Sequence, residues 1–506
     1  MRLDKRLGKI TESVLDKLKN KTFSMFILTS SISIFTFLYI VLRLKYIDDQ
    51  IPFWYTKIWG DLQLAPKHTL FLIPLISLAI SLCGLMLVLL NKYYIRFYEE
   101  IIWLCVSFCN VFLFVSVFKI INISSVPFHP IINPLHMSLL PAFVSSFLLI
   151  YLVMPSFIDF AQRKRLVTNP QAHLHPGMIL KSPSARGGGF VYAIIFLLTA
   201  LIFVGIPRNF MGFYLSIIMT AFLGIVDDYQ NTHPSSTYRL IENPVLRLIL
   251  LFTSVLPVVL SGVMIFSVSN PFGGAINLNI LEIHTKTGVL PIIPIIITGV
   301  WIVWLMNVLS WSNGVDGQFP GIVGIASIIV ALLALRFKEI EPQHMQIAIL
   351  AAISAGAAFG SVRFNWHPSQ IMWGFGAMSA GFVIASLAIL AQAKITVSVL
   401  ILLIPFLDAL FTVIRRVAKG KNPFRGDRGH LHHILLDRGW SVSKVAIFYW
   451  IATAVFGIIG LLSPERMVFK IAFIISGVVA FILIILNMSL AIKEKKNLVS
   501  TPQSNL

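Results

Sequence analysis

The chain reads as an all-α polytopic membrane protein, and three observations lead there. Of its 506 residues, 57% are hydrophobic and 12% charged, and the mean hydropathy is +0.85, a combination that soluble domains rarely reach. Apolar runs long enough to cross ~30 Å of hydrocarbon at ~1.5 Å per residue recur along most of the length. The charges fall in short loops between those runs.

Taken in order, residues 1–23 are polar and lysine-rich, without an early apolar core or a small-residue cleavage site. They are expected to form an amphipathic cytoplasmic segment and not a signal peptide. Apolar runs follow at 24–44, 69–91 and 99–123. Between the first two, the stretch from Ile47 to Lys67 carries Pro52, Trp54, Trp59 and Gly60, and is expected on the outer face with its aromatics as interfacial anchors. Residues 1–125 thus form an N-terminal membrane module, which holds none of the motifs below and suits an accessory or regulatory role. The three cysteines, Cys83, Cys105 and Cys109, lie in its apolar runs, where buried thiols are expected and a disulfide framework is not.

A second domain, 126–495, has apolar runs at 136–158, 188–206, 209–226, 244–267, 289–309, 320–337, 344–361, 370–391, 395–416, 444–463 and 468–491, and a tail, 496–506, follows. The total is about fourteen transmembrane helices, three in the first module and about eleven in the second. With residues 1–23 inside, alternation puts 159–187, 227–243, 310–319, 362–369, 417–443 and the C-terminus inside too. Those segments hold Arg163-Lys164-Arg165, the basic cluster Arg415–Arg428 and Lys493-Glu494-Lys495-Lys496, as the positive-inside rule requires. The net charge of +19 therefore reads as orientation signals and anionic-ligand contacts, with no nucleic acid among the partners. In the outer loop, Asn270-Pro271-Phe272-Gly273-Gly274 is turn chemistry, and Ile276, Leu278 and Ile280 alternate with polar residues. A small extracytoplasmic β-hairpin is expected near 270–288.

Three stretches carry chemistry, all on the predicted cytoplasmic face. Asp227-Asp228 ends an apolar run in FLGIVDDYQ. Adjacent carboxylates at a membrane surface repel each other and are costly to desolvate, so a function is expected, one holding Mg²⁺ and the other taking a proton. An interfacial or helix-capping pair is the blander alternative. Next, Asn307, Ser310, Asn313 and Asp316 recur at every third position, a spacing that drifts about 60° per step on a helix. Gly314 and Gly317 then let the backbone leave helical geometry. The result is a polar stripe leading to a carboxylate, suited either to Mg²⁺ and a nucleotide or to helix–helix contact. Finally, Arg415, Arg416, Lys419, Lys421, Arg425 and Arg428 face Asp427 alone, and His430, His432 and His433 follow at once. Such a cluster suits a pyrophosphate. Orientation signals would explain the Lys and Arg but not the histidines, and zinc is a further candidate ligand for these.

Pro405, Asp408, Arg415-Arg416, Gly420, Pro423-Phe424 and Asp427-Arg428-x-His430-x-His432-His433 resemble the last cytoplasmic loop of the polyprenyl-phosphate N-acetylhexosamine-1-phosphate transferases. The H-x-H-H form is similar to the branch that uses UDP-N-acetylhexosamines, the undecaprenyl-phosphate N-acetylglucosaminyl 1-phosphate transferases. Asp227-Asp228 then resembles the family's aspartate pair, and Asn307–Gly317 its N-x-x-N-x-x-D-G-x-D-G element, with Ser310 and Asn313 as departures. Pro183 to Gly189 resembles its P-x-P-R-x-G-G element, and Arg363-Phe364-Asn365, Pro368 and Gly374 its F-N-x-x-P segment. Where the family has an aspartate after that glycine, this chain has Phe375.

The resemblance covers residues 126–495. It implies transfer of an N-acetylhexosamine 1-phosphate, GlcNAc first among candidates, from a UDP-sugar to a polyprenyl phosphate such as undecaprenyl phosphate. UMP would be released, in the first lipid-linked step of a cell-envelope glycan such as lipopolysaccharide or teichoic acid. It implies Asp227 as base or positioning group, and Asp316 with Asp228 as ligands of Mg²⁺, with Mn²⁺ as the alternative ion. Asn307, Asn313, Arg186 and Arg247 would contact substrate, and Arg425, Arg428, His430, His432 and His433 would clamp the sugar diphosphate. The implied setting is the bacterial inner (cytoplasmic) membrane, with the site and both termini inside and a homodimer as a possible assembly. Two other readings remain open from residues alone. One is a transporter or flippase lined by Asp408 and the polar stripe, against which the ionisable groups gather at one face. The other is a non-catalytic UDP-sugar-binding relative, motivated by Phe375 and Asn313.

Overall fold

Apolar runs and helices coincide along the computed structural model, which describes residues 21–500 apart from 55–56, 58–59, 91–95, 126–133, 169–182, 234–240, 242, 271–273, 286–287, 338, 393–394, 419, 421–428 and 465–466. The amphipathic segment expected at the N-terminus therefore lies almost entirely outside the described residues. Two compact units form, Met1–Leu152 and Val153–Leu506. The division in the chain falls within one helix, Leu140–Arg163.

The first unit is built on α1 (Lys21–Arg43), α2 (Leu72–Leu90) and α3 (Arg96–Ser124), each apolar along most of its length. Ile40, Ile73, Val117 and Ile121 form its core with Ile51 and Leu70 from the intervening loop. Polar contacts join the helices inside this apolar setting. Ser33 meets Ser77 at 2.7 Å, and the Asn110 amide donates to Ser81 Oγ at 2.7 Å. Between α1 and α2, β1 (Gln50–Pro52) pairs antiparallel with β2 (Leu64–Pro66), burying Ile51. Beside that pair a hydrogen bond from Lys67, at 2.8 Å, holds the exposed Asp49 carboxyl below the usual carboxylate range. The cysteines, all three of them free, depart from expectation in being exposed on the protein surface. In a spanning helix the solvent of that surface is hydrocarbon, so an apolar thiol gains nothing by turning inward.

The second unit continues from α4 (Leu140–Arg163) through α5 (Gly188–Phe203), α6 (Met211–Thr232), α7 (Pro244–Leu260), α8 (Ile292–Trp311), α9 (Gln318–Ala334) and α10 (Pro342–Asn365). Then follow α11 (Ala377–Leu390), α12 (Ile395–Ile401), α13 (Leu403–Ala418), α14 (Leu431–Asp437), α15 (Val442–Leu462) and α16 (Val468–Ser500). Among the described residues of the whole chain, nine helices are long and apolar enough to cross a membrane, or ten if α12 and α13 count as one broken span. Four further apolar helices are shorter, at 10–17 residues. The single run 395–416 is thus corrected to two helices meeting at 93°. Pro405 lacks the N–H that would continue the first helix, and the chain bends before it.

Burial identifies the helix around which this unit is organised. In α10, 72% of the most apolar stretch is buried, against 17% for the corresponding stretch of α16. Small residues dominate the α10 interior, among them Ala351, Ala355, Ala358 and Gly360, and let α9 approach closely. Ser354 of α10 sits in a chain of hydroxyls, 2.6 Å from Tyr192 Oη of α5 and 2.7 Å from Ser327 Oγ of α9. The outer loop expected to hold one hairpin holds two antiparallel pairs. β5 (Ser267–Ser269) pairs with β6 (Ala275–Asn277), and β7 (Glu282–Thr285) with β8 (Gly288–Pro291).

Candidate active site

The site is assembled where the segment 370–376, extended at first and ending in a 3-10 turn at Gly374–Gly376, crosses the end of α6. That segment is fixed first by an aromatic anchor: Trp373 is buried between Tyr192 and Phe319, with ring centroids 5.0 and 4.9 Å away. Backbone pairing then aligns a second strand with it. Ala185 N–H donates to the Gln370 carbonyl and Met372 N–H to the Ala185 carbonyl, at 3.1 and 2.7 Å. Gly188 and Gly189 continue the pairing to Met372 and Trp373. Arg186 is thereby held over α6, with its Nε–H donated to Thr168 Oγ1.

Asp227 and Asp228 lie inside α6, which runs on to Thr232, so the helix-capping alternative is excluded. Both are buried, Asp228 completely. Each carboxylate has its own arginine. Arg186 Nη1 stands 3.5 Å from Asp228 Oδ1, and Arg247 Nη2 stands 3.4 Å from Asp227 Oδ1. Arg247 is placed by the start of α7, where Asn243 caps the helix by accepting Val245 N–H at 2.9 Å and Pro244 opens the first turn. Asn231, one turn beyond Asp227, donates to its Oδ2 at 2.6 Å. Asp228 Oδ1 also accepts the Phe375 N–H at 3.0 Å. Gly374 makes this contact feasible: it takes φ +63, and a Cβ there would stand 2.2 Å from the Asp228 carboxylate oxygens.

The polar stripe runs from α8 into the following turn as half-buried positions, Asn307, Ser310, Asn313 and Asp316. The structure links it to the aspartate pair through Asn313, whose amide donates to the Gly374 carbonyl at 3.4 Å. Asn307 is committed nearer home, donating to the Val303 carbonyl one turn back. Asp316 lies in the turn joining α8 to α9. Its Oδ2 accepts from His367 Nδ1 at 2.8 Å and from Ser369 N–H at 3.3 Å. A carboxylate can only accept, so this contact places the imidazole proton on Nδ1. Asn365 ties the same region together, accepting Gly317 N–H at 3.1 Å and donating to the Ile371 carbonyl at 2.8 Å.

His430, His432 and His433 are all buried at the start of α14. His430 and His432 stack with centroids 5.5 Å apart, and His432 and His433 lie 4.3 Å apart. His432 closes onto the polar stripe: a Cβ on Gly314 would meet its Nε2 at 2.2 Å. His430 is oriented from the membrane side by Asp408 of α13, whose Oδ2 lies 3.0 Å from His430 Nδ1 and whose Oδ1 accepts Leu431 N–H at 2.7 Å. Arg425 and Arg428 lie outside the described residues. Asp408→Ala should cost about 2–4 kcal/mol, because it strands a buried imidazole N–H and a buried backbone N–H together. Thermal unfolding in detergent checks this, and Asp408→Asn should recover part of the loss.

His367, Ser369, Asn365 and Asn231 are contributors that motif reading did not assign to the site. Asn365 carried a signal as part of the F-N-x-x-P segment. His367 and Ser369 sit beside Pro368 with nothing local to distinguish them. Asp228 Oδ2 is buried and accepts no hydrogen bond among the described residues. A carboxylate oxygen in that state is a hard donor of the kind that small divalent cations take. No group of three or more His, Cys, Asp or Glu side chains converges as a metal cage among the described residues.

Residues 210–392, which hold Asp227, Asp228, Arg247, Asn307, Asn313, Asp316 and Phe375, match the model of glycosyl transferase family 4. The chain is 25% identical over 206 residues to the probable undecaprenyl-phosphate N-acetylglucosaminyl 1-phosphate transferase of Bacillus subtilis, covering 39% of this chain and 56% of that protein. It is 23% identical over 336 residues to the phospho-N-acetylmuramoyl-pentapeptide-transferase of Caldicellulosiruptor bescii, covering 63% of this chain and 95% of that protein. With the decaprenyl-phosphate N-acetylglucosaminephosphotransferase of Mycobacterium leprae it shares 26% identity over 186 residues, 32% of this chain and 47% of the relative. Over these stretches the chain is similar to polyprenyl-phosphate hexosamine-1-phosphate transferases. Its long apolar helices make it a multi-pass membrane protein, and the matched region is the one that carries the aspartates.

Proposed function

We propose that this protein is a polyprenyl-phosphate hexosamine-1-phosphate transferase, moving N-acetylhexosamine 1-phosphate, with GlcNAc as the sugar, from its UDP derivative to a polyprenyl phosphate such as undecaprenyl phosphate. The observation that carries the reading is a buried carboxylate pair, each member held by its own arginine, at the end of α6. The Asp316 turn and the histidine cluster are joined to it through Asn313 and Gly314. The names of the Bacillus and Mycobacterium relatives support the choice of sugar.

In this reading an oxygen of the lipid phosphate attacks the β-phosphorus of the UDP-sugar. The bond from that phosphorus to the UMP oxygen breaks, and UMP leaves with the electron pair. Both reactants are anions, so the protein must neutralise charge and hold the two phosphates in line. Asp227, fixed by Arg247 and Asn231, positions the lipid phosphate and takes its proton when one is present. Arg186, Arg247 and the imidazoles of His430, His432 and His433 lie against the diphosphate, and Arg425 and Arg428 complete the clamp. Asn307 and Asn313 contact the nucleotide side. Asp316 and Asp228 are the residues that would hold Mg²⁺, or Mn²⁺ in its place, and the bound ion would supply neutralising charge to the diphosphate. The remaining expectations belong with this proposal: about fourteen spans, counting the four shorter helices, the site and both termini cytoplasmic in a bacterial inner membrane, and the paired strands outside.

Purified protein in detergent, given undecaprenyl phosphate, UDP-GlcNAc and Mg²⁺, should release UMP, and EDTA should abolish the release. Release without the lipid would sink the transferase reading. Silence across a panel of UDP-sugars would favour a non-catalytic, UDP-sugar-binding role.

A further inference from the structure

Phe375 touches Asp228 and the arginine that holds Asp227, and its side chain has no part in the roles assigned above. While its N–H serves Asp228, its ring lies against the Arg247 guanidinium, 5.1 Å from Cζ to the ring centroid. Arg247 is thus bound on one face by the ring and along one edge by protein oxygens. Nη2 reaches Asp227, and Nε and Nη2 donate to the Ile241 carbonyl at 3.4 and 3.3 Å. Among the described residues Nη1 has no partner, and the side chain remains 34% exposed. A guanidinium so constrained keeps one orientation. Its open corner is where an anion can be received.

The chemistry of the ring matters as much as its place. An aromatic face attracts the cation through its quadrupole and leaves the full positive charge in being. A carboxylate at the same place would hold the arginine as firmly and cancel it.

We propose that Phe375 is a positioning residue that fixes Arg247, through cation–π contact, as a preoriented contact for the diphosphate of a nucleoside-diphosphate ligand. This rests on the reading of the site as one for UDP-sugars, and the test separates the two. The full-length chain in detergent is titrated calorimetrically with UDP, and UMP release is followed in parallel. Four variants are compared: Phe375→Leu, Phe375→Tyr, Arg247→Gln, and Phe375→Leu combined with Arg247→Gln. All keep the backbone N–H that serves Asp228.

Phe375→Leu should weaken UDP binding about 3- to 30-fold, while Phe375→Tyr, which retains an aromatic face, should stay within about twofold. In the Arg247→Gln background Phe375→Leu should cost nothing further, because the partner through which it acts is gone. Should leucine unfold the turn, Phe375→Met gives the same comparison. Three results each overturn the assignment: wild-type protein that fails to bind UDP, Phe375→Leu that binds like wild type, or an equal loss in both Arg247 backgrounds. If UDP binds with the coupled losses but UMP is never released, the transferase reading fails and the assignment of Phe375 stands.

Discussion

Asp316→Asn is expected to lower UMP release by about 10³-fold or more while the protein remains folded. The side chain is 16% exposed in the turn between α8 and α9, and its Oδ2 accepts from His367 and from the Ser369 backbone. Asparagine keeps the shape and one acceptor oxygen, so both contacts can persist. What disappears is the negative charge, the only property that an ion-binding or proton-handling role requires. Steady-state UMP release and thermal unfolding, measured on the same preparation, decide the matter. Full activity removes Asp316 from the chemistry, and a matched loss of folding reassigns it to structure.

Gly374→Ala should be the most damaging single-methyl change in the site, at about 2–5 kcal/mol of stability with loss of activity. Two costs add. The residue sits at φ +63, where a Cβ is strained whatever the space. The new methyl would also fall 2.2 Å from the Asp228 oxygens. Asp228 has little room to retreat, being fully buried between the Phe375 N–H and Arg186. Thermal unfolding should show a lowered midpoint, and UDP binding should weaken with it. Gly420→Ala, also at positive φ but with open space at the Cβ position, carries the strain without the overlap and should be milder. Equal losses in the two variants would show that backbone strain alone accounts for the effect.

Legibility in the sequence followed the range of the physics. Apolar runs announced the helices because the bilayer requires each spanning segment to satisfy its own backbone, a demand met within some twenty consecutive residues. Asp227, Asp228, Asp316 and the histidines stood out because ionisable groups are costly at a membrane and seldom kept there without use. The 93° bend between α12 and α13 was less visible, since the apolar run continues unbroken across it, although Pro405 marked the place.

Taken alone, then, the chain of residues determined a helical membrane protein, the family resemblance and a short set of acidic and imidazole groups. Tertiary structure decided which of those groups share a site. Phe375 reaches Asp228 across 147 positions, and His367 reaches Asp316 across 51. Arg247 rests on a ring 128 positions ahead of it, 375 minus 247. No periodicity reports such pairs. They exist because Trp373 anchors one segment, Ala185 pairs beside it, and a glycine at 374 leaves room for a carboxylate.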